Sequence, residues 1–185
     1  MATTYCAYVL GAGKDSVHRD YHDMEYGFPI ADDSLLFARL VLEINQAGLS
    51  WQTILNKKDN FFKAFDGFEL TKVARYTDKK KAKLMQDAGI IRNRLKIEAT
   101  IHNAKCILTI QKEMGSFRNW LDHHHPKTKD EWVKLFKQHF RFTGGEIVNE
   151  FLMSTGYLPG AHTQDCPIYK KVLKQKPKWA ERMKK

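Results

Sequence analysis

The stretch DDSLLFARLVLEINQAGLSW, residues 32–51, predicts a long buried helix followed by a break in the chain. Its apolar residues recur at helical spacing, at Leu36, Leu40 and Ile44. Aspartate and serine at its start can cap a helix, and Gly48 is a typical stop. Glu43 lies within this apolar pattern, although carboxylates are almost never fully buried without a compensating group. The question that follows from the sequence is which group compensates the charge of this carboxylate.

The rest of the chain also favours helices. Periodic apolar residues predict further helices in residues 51–65, 68–77, 78–89, 92–114, 116–124, 130–140 and 144–156. Alternation at period two, which is typical of strands, is scarce, so we predict an all-α fold. Residues 1–30 and the chain from about Leu158 onward have no clear pattern and are predicted to be irregular.

Composition limits the class of protein. A chain of 185 residues with 43% hydrophobic residues is long and apolar enough for one domain with a real core. No apolar run reaches membrane-spanning length, and the first residues lack the pattern of a signal peptide, so we expect a cytoplasmic protein. Three cysteines are too few for a disulfide framework, which directs attention to metal or thiol roles.

The charge balance points to a polyanionic partner. Lysine and arginine number 31 against 21 acidic residues, a net charge of +10. This excess favours nucleic acid over a membrane surface or an acidic protein. Part of it lies in a basic C-terminal tail, residues 171–185, which can equally be a solvated segment without a partner.

The segment LMQDAGIIRNRLKI, residues 84–97, suits a helix-hairpin-helix with its turn at Gly89. The N-terminus of the second helix can hold a DNA phosphate. Basic residues after the turn can contact neighbouring phosphates, and these are Arg92, Arg94 and Lys96. The alternative is an ordinary helical corner with a solvated basic face, and this segment alone does not separate the two.

Four separated residues are candidate metal ligands. His162 and Cys166 in GAHTQDC are four residues apart, so they face the same way if that segment is helical. Cys6 and His22 lie near the other end of the chain. Two cysteines and two histidines form the ligand set of a closed, structural zinc site. Such a site would join both chain ends.

Together these segments resemble the DNA-3-methyladenine glycosylase I family, base-excision enzymes of the helix-hairpin-helix superfamily. The matching pieces, in the family's order, are Cys6, YHDMEYG (21–27), LEINQAGLSW (42–51), QDAGIIRNRLKI (86–97) and GAHTQDC (160–166). The resemblance implies a single domain with a helical body at about 31–155. It also implies a small lobe, from about 1–30 plus 156–170, that holds one structural zinc ion on Cys6, His22, His162 and Cys166.

The resemblance also implies a pocket for a flipped base, with Tyr21, Glu43 and Trp51 as its residues and Glu43 as the catalytic one. The methylated ring of 3-methyladenine is cationic, so a buried carboxylate gains attraction from it that a neutral adenine does not supply. The implied reaction is hydrolysis of the N-glycosidic bond by water, without lyase activity. Two alternatives remain open: Glu43 pairs with Arg39, and the aromatic residues are ordinary core.

Leu49, in the break after the first helix, is interpreted as a wedge that fills the gap left by the base. The alternative places it in the core. The expected partner is double-stranded DNA with alkylated bases, bound by a monomer in a bacterial cytoplasm. Tyr8, Tyr26 and residues 142–151 depart from the family's pattern. A rival hypothesis is therefore a non-catalytic, zinc-stapled DNA-binding module. A zinc hydrolase would need an open metal position, which a complete Cys₂His₂ set does not leave.

Overall fold

The computed structural model describes residues 4–13 and 16–184, with side chains as far as residue 181. The outer ends of the predicted lobe and tail, residues 1–3 and 185, lie outside the described residues. The helices are α1 Tyr5–Gly11, α2 Val17–Met24, α3 Asp33–Gln46, α4 Trp51–Ala64, α5 Leu70–Val73, α6 Asp78–Gln86, α7 Arg94–Met114, α8 Phe117–His124, α9 Lys129–His139, α10 Gly145–Ser154 and α11 Tyr169–Lys174. Short 3-10 helices span Asp66–Phe68 and Lys178–Lys184. The described part of the chain contains no strand, so the all-α prediction is confirmed.

The N-terminal region is helical, and the prediction that it is irregular was wrong. Thr4 and Ser16 cap α1 and α2 by accepting hydrogen bonds from backbone N–H groups two or three residues later. The buried face of α2 consists of His18, Tyr21 and His22. These residue types do not form an apolar stripe in the sequence, so the helical period was hidden.

Helix α3 is the centre of the main core. It packs against α4, α7, α8 and α10, and every residue from 36 to 45 is buried. Asp32 caps it, accepting a hydrogen bond from the Leu35 N–H at 2.8 Å. Asp33 instead reaches the start of α8, where its carboxylate accepts from the N–H of Phe117 at 2.7 Å. Because α3 is enclosed on all sides, any polar side chain on it needs a partner or a cavity.

The corner between α6 and α7 is tight at Gly89. A Cβ there would lie 2.9 Å from Asp87 Oδ1 and 3.1 Å from Asn60 Cβ on α4, so a larger residue would require these side chains to shift. Helix α7 has its own cap, because Asn93 Oδ1 accepts from the Lys96 N–H at 3.2 Å. The corner between α9 and α10 differs, since α10 begins after Gly144 without a side-chain cap. Of these two corners, only the second leaves its first helical N–H groups without a capping side chain.

The placement of Lys96 corrects the prediction that it contacts a DNA phosphate. Lys96 is buried, with 6% of its surface exposed. Its ammonium group donates to the carbonyl oxygens of Asn45 and Ala47, at 3.0 and 2.9 Å. Carbonyls at the end of a helix lack partners and carry partial negative charge, which is why a cation is stable there. Lys96 therefore fixes the end of α3 and the break that follows it.

A second, smaller core lies where the two ends of the chain meet. It contains Cys6, Cys166, Ile168 and Val172, with Phe28 and Tyr169 packed against it. Val172 belongs to α11, so the predicted tail boundary at residue 171 falls inside a helix. Lys178 lies 3.7 Å from Asp122 of α8, so the first part of the tail lies against the body. Among the described helices, none is both long and apolar enough to cross a membrane.

Candidate functional site

A cavity of about 230 Å³ opens between α1, α2, α3, α4 and α10. Its lining residues are Tyr5, Tyr21, Tyr26, Glu43, Gln46, Trp51 and Glu150. The structure thus brings together the three residues predicted for the pocket, Tyr21, Glu43 and Trp51. Glu43, Tyr21 and Tyr26 are at most 7% exposed, and the other four are half-buried. We call the three enclosed residues the floor of the cavity and the four partly exposed residues its rim.

Local structure explains how the walls are placed. Glu43 and Gln46 are three residues apart on α3 and so share one face of the helix. Ser50 caps α4, which starts the helix at Trp51 and brings its ring to the cavity. The Tyr21 and Trp51 rings meet edge to face, with centroids 5.1 Å apart. The indole N–H of Trp51 is buried and has no hydrogen-bond partner within the described residues.

The Glu43 carboxyl is buried without a direct partner. No hydrogen bond or ion pair from residues 4–13 or 16–181 reaches it, although it is only 3% exposed. Burial raises its pKa to about 8, the charge of Arg39 opposes this rise, and the charge of Glu150 adds to it. The cavity floor therefore carries a carboxyl group that is mostly protonated at neutral pH until a cation compensates its charge.

The alternative that Arg39 pairs with Glu43 is wrong. Arg39 donates to the Tyr21 hydroxyl at 3.1 Å and to Glu25 Oε2 at 3.0 Å. Lys58 also binds Glu25, so this carboxylate bridges two cations. The guanidinium is thus held against α2, away from hydrogen-bond contact with Glu43. Because the Tyr21 oxygen accepts from Arg39, its own O–H remains available as a donor.

Leu49 lies in the break between α3 and α4 and is 41% exposed. Its N–H donates to the Gln46 carbonyl at 2.7 Å, and the preceding Gly48 has a positive φ of 83°. The alternative that Leu49 is part of the core is therefore wrong. Trp51 differs, since it packs partly against the main core and also lines the cavity.

The four candidate metal ligands come together and are all buried. Their ligand atoms all lie within 4.8 Å of one another. His162 Nδ1 is 3.7 Å from Cys6 Sγ and 3.5 Å from Cys166 Sγ. Cys166 Sγ is 3.6 Å from His22 Nε2. The segment that carries His162 and Cys166 is a turn, not a helix, so the ligands meet through a fold that their spacing did not predict.

Hydrogen bonds orient both histidine rings toward this group. His22 Nδ1 lies 2.6 Å from Asp23 Oδ1, and His162 Nε2 lies 2.7 Å from the Tyr26 carbonyl oxygen. The remaining ring nitrogens therefore face the two sulfur atoms with their lone pairs, as metal-bound histidines do. Gly27 allows the close approach, because a Cβ there would lie 2.8 Å from Ala161 Cβ. The four residues could therefore hold a metal ion.

Sequence reasoning missed four cavity residues. The position of Gln46 at the cavity could have been predicted, because it is three residues from Glu43 on the same helix. That of Tyr5 could have been predicted because it is next to Cys6. Tyr26 was noted only as a departure from the family pattern. Glu150 carried no signal, because a glutamate on an amphipathic helix is usually solvated. Its Oε2 accepts a hydrogen bond from the Tyr26 hydroxyl at 3.1 Å.

Comparisons with known proteins agree on one family. The methyladenine glycosylase family model matches residues 11–138. A DNA-3-methyladenine glycosylase of Haemophilus influenzae is 36% identical, over 89% of this chain and 97% of that protein. DNA-3-methyladenine glycosylase 1 of Escherichia coli is 34% identical, over 84% and 93%. A crystal structure of a 3-methyladenine DNA glycosylase I variant in complex with 3-methyladenine has a TM-score of 0.79 and 35% identity, covering 89% of this chain and 96% of that one.

The buried carboxyl predicts a pH-dependent stability. With a folded-state pKa of about 8 against an ordinary 4.5, the native protein keeps a proton that the unfolded chain releases between these values. Stability from this group is therefore complete at low pH and falls as pH rises toward 8. We expect Glu43→Gln to raise the free energy of unfolding at pH 8 by on the order of 1–4 kcal/mol, and by much less at pH 5.

Thermal and urea unfolding of both proteins across pH 5–8.5 measures this difference. Glu25→Gln is the matched control. It should lower stability, because it removes the charge that the buried Arg39 and the half-buried Lys58 share. A Glu43→Gln protein that loses stability at pH 8 would show that this carboxylate has a partner after all.

Proposed function

The chain belongs to the methyladenine glycosylase family, and we propose that it releases 3-methyladenine from alkylated DNA in base-excision repair. One observation carries the proposal: an unpaired, buried carboxyl group, that of Glu43, lies on the floor of a cavity walled by aromatic rings. A neutral base offers the ionised carboxylate little electrostatic attraction, whereas a methylated, cationic ring compensates its charge. The cavity is therefore selective for damage by charge.

Recognition then follows from the cavity residues. A base must leave the base stack of the duplex to enter the cavity, and the free-energy cost of this step is lowest for damaged bases. When the cationic ring arrives, Glu43 loses its proton and accepts a hydrogen bond from the exocyclic amine. Tyr21 and Trp51, whose rings meet edge to face, supply the aromatic wall for the cationic ring, and a cation–π contact contributes about 0.5–2 kcal/mol. Glu43 thus serves as the residue that reads both the charge and the edge of the lesion.

The reaction we propose is hydrolysis without lyase activity. A cationic base is already a good leaving group, so little chemistry is required beyond supplying water to the sugar carbon. A Schiff-base mechanism needs a lysine at the cavity, and no lysine is among the described residues that line it. The expected products are the free base and an abasic site in an unbroken strand.

We propose zinc as the metal of the buried Cys–His group, with one ion per chain. Zinc lies about 2.3 Å from sulfur and about 2.0 Å from nitrogen in tetrahedral sites. These lengths place a sulfur about 3.5 Å from a nitrogen, close to the 3.5–3.7 Å separations of the ligand atoms. Four protein ligands leave no open position, which supports a structural ion and speaks against a zinc hydrolase. The ion would stabilise the lobe formed by residues 1–30 and 156–170.

The basic surface near α7 is the proposed phosphate contact. Arg92 and Arg94 are exposed, and Arg94 pairs with Glu98 on its own helix at 3.0 Å. Leu49, exposed in the break beside the cavity, is the proposed wedge. We propose that the protein acts as a monomer on double-stranded DNA in a bacterial cytoplasm. Its relatives in Haemophilus influenzae and Escherichia coli, both bacteria, are DNA-3-methyladenine glycosylases by name.

The base-release assay tests the function. The protein is incubated with methylated duplex DNA, free bases are separated by chromatography, and strands are analysed for breaks. We expect free 3-methyladenine and abasic sites without breaks. Binding of methylated DNA without any base release would instead support the non-catalytic module, and strand breaks would support a lyase.

The metal proposal predicts a stability loss on ligand removal. The Cys166→Ser and His162→Ala proteins should lose zinc and have a lower melting temperature. Their activity per folded molecule should change less than their stability does. Cys106→Ser is the matched control, because this thiol lies on α7 outside the group and should keep the ion. Metal analysis of protein purified without chelator counts zinc per chain. Absence of zinc from the wild-type protein would contradict the metal proposal.

The DNA interface predicts a steep salt dependence for binding to undamaged duplex. Each neutralised phosphate contributes about −0.9 to the slope of log affinity against log salt. Arg92→Ala should flatten the slope by about one unit or less. Lys96→Met removes the same charge but should leave the slope unchanged and lower the melting temperature, since its ammonium binds carbonyls of α3. Equal flattening by both substitutions would contradict the assigned positions.

A further inference from the structure

The rim of the cavity carries a second carboxylate, which recognition by Glu43 leaves unused. It belongs to Glu150 on α10, a helix that packs against α3. Glu150 lines the same cavity as Glu43 but is half-buried, whereas Glu43 is enclosed. The two carboxylates therefore lie at different depths.

Depth decides which part of a bound nucleotide each carboxylate meets. The base enters the cavity, but its sugar stays joined to the DNA backbone outside. The glycosidic bond must therefore cross the rim. Glu43, on the floor, faces the far edge of the base, and Glu150, on the rim, lies toward the sugar.

The Glu150 carboxylate is also oriented. The Tyr26 hydroxyl donates to Oε2 at 3.1 Å, which fixes one oxygen. Within the described residues, no hydrogen bond or ion pair reaches Oε1, so this oxygen has its lone pairs available. Glu146, one turn earlier on α10, provides a contrast. It is solvent-exposed and pairs with Lys129 at 2.8 Å.

We propose that Glu150 takes the proton from the water that attacks the sugar, a role that rests on the proposed glycosylase function. The water oxygen forms a bond to C1′ while the bond from C1′ to N9 of the base breaks, and its electron pair goes to the base. One water proton moves to Oε1 of Glu150 and then to solvent. The products are the neutral base and an abasic sugar with a C1′ hydroxyl.

The surroundings of Glu150 suit this role. Burial raises the pKa of its carboxyl, the hydrogen bond from Tyr26 opposes this, and the nearby charges of Glu146 and Lys129 act in opposite directions. A carboxylate with a raised pKa is a better base than an exposed one. Its negative charge also stabilises the positive charge that develops on the sugar as the bond breaks.

Single-turnover excision by Glu150→Gln tests the proposal. Gln keeps the shape and an oxygen for Tyr26 but cannot accept the proton. General bases contribute about 10²–10⁴-fold, and the low end applies to a cationic leaving group, so we expect about a 100-fold lower rate. Affinity for free 3-methyladenine, which has no sugar, should change by less than about twofold. Glu146→Gln, with the same charge change on the same helix, should excise at the wild-type rate.

Glu150→Ala supplies a second measurement. Added azide attacks C1′ without losing a proton, so it should restore product formation in Glu150→Ala more than in the wild type. A wild-type rate in Glu150→Gln would overturn the proposal, as would a loss of affinity for the free base that equals the loss of rate. A wild-type protein that releases no base would contradict the proposed function itself, and this role with it.

Discussion

The structure depends on one unfavourable placement, the burial of the Glu43 carboxyl without a protein partner. Helix α3 is enclosed by four other helices, so a polar side chain on it costs free energy unless something compensates it. Arg39, the cation whose charge acts on this carboxyl, is held by Glu25 and Tyr21 instead. Under the proposed function, the cationic base that enters the cavity supplies this compensation.

The buried Cys–His group and the cavity are one structural unit. Tyr5, Tyr21 and Tyr26 line the cavity, and the first two are sequence neighbours of Cys6 and His22. Tyr26 joins the two sites directly, because its carbonyl accepts from His162 while its hydroxyl donates to Glu150. An ion at this group would therefore fix three cavity walls without contacting a substrate. The residues that form the group, although remote in sequence, meet at this place.

Much of the fold could be predicted, and the failures have physical causes. Helices with a continuous apolar stripe, such as α3 and α7, follow from periodicity, whereas α2 buries histidine and tyrosine and so conceals its period. Spacing suggested the metal ligands, and family resemblance brought Tyr21, Glu43 and Trp51 into one pocket. Lys96 was misplaced because a lysine has the same pattern whether its ammonium reaches solvent or buried carbonyls. Glu150 was missed because depth within a cavity is a tertiary property.

The most direct test of the central claim is the ionisation of Glu43 itself, followed by NMR of its ¹³C-labelled carboxyl during a pH titration. We predict a pKa near 8 in the protein alone. A permanently cationic purine, 3,9-dimethyladeninium, copies the methylated nucleoside with a methyl group in place of the sugar, and its binding should lower this pKa well below neutrality. An ordinary pKa near 4.5 in the protein alone, or no change on binding the cation, would contradict the account.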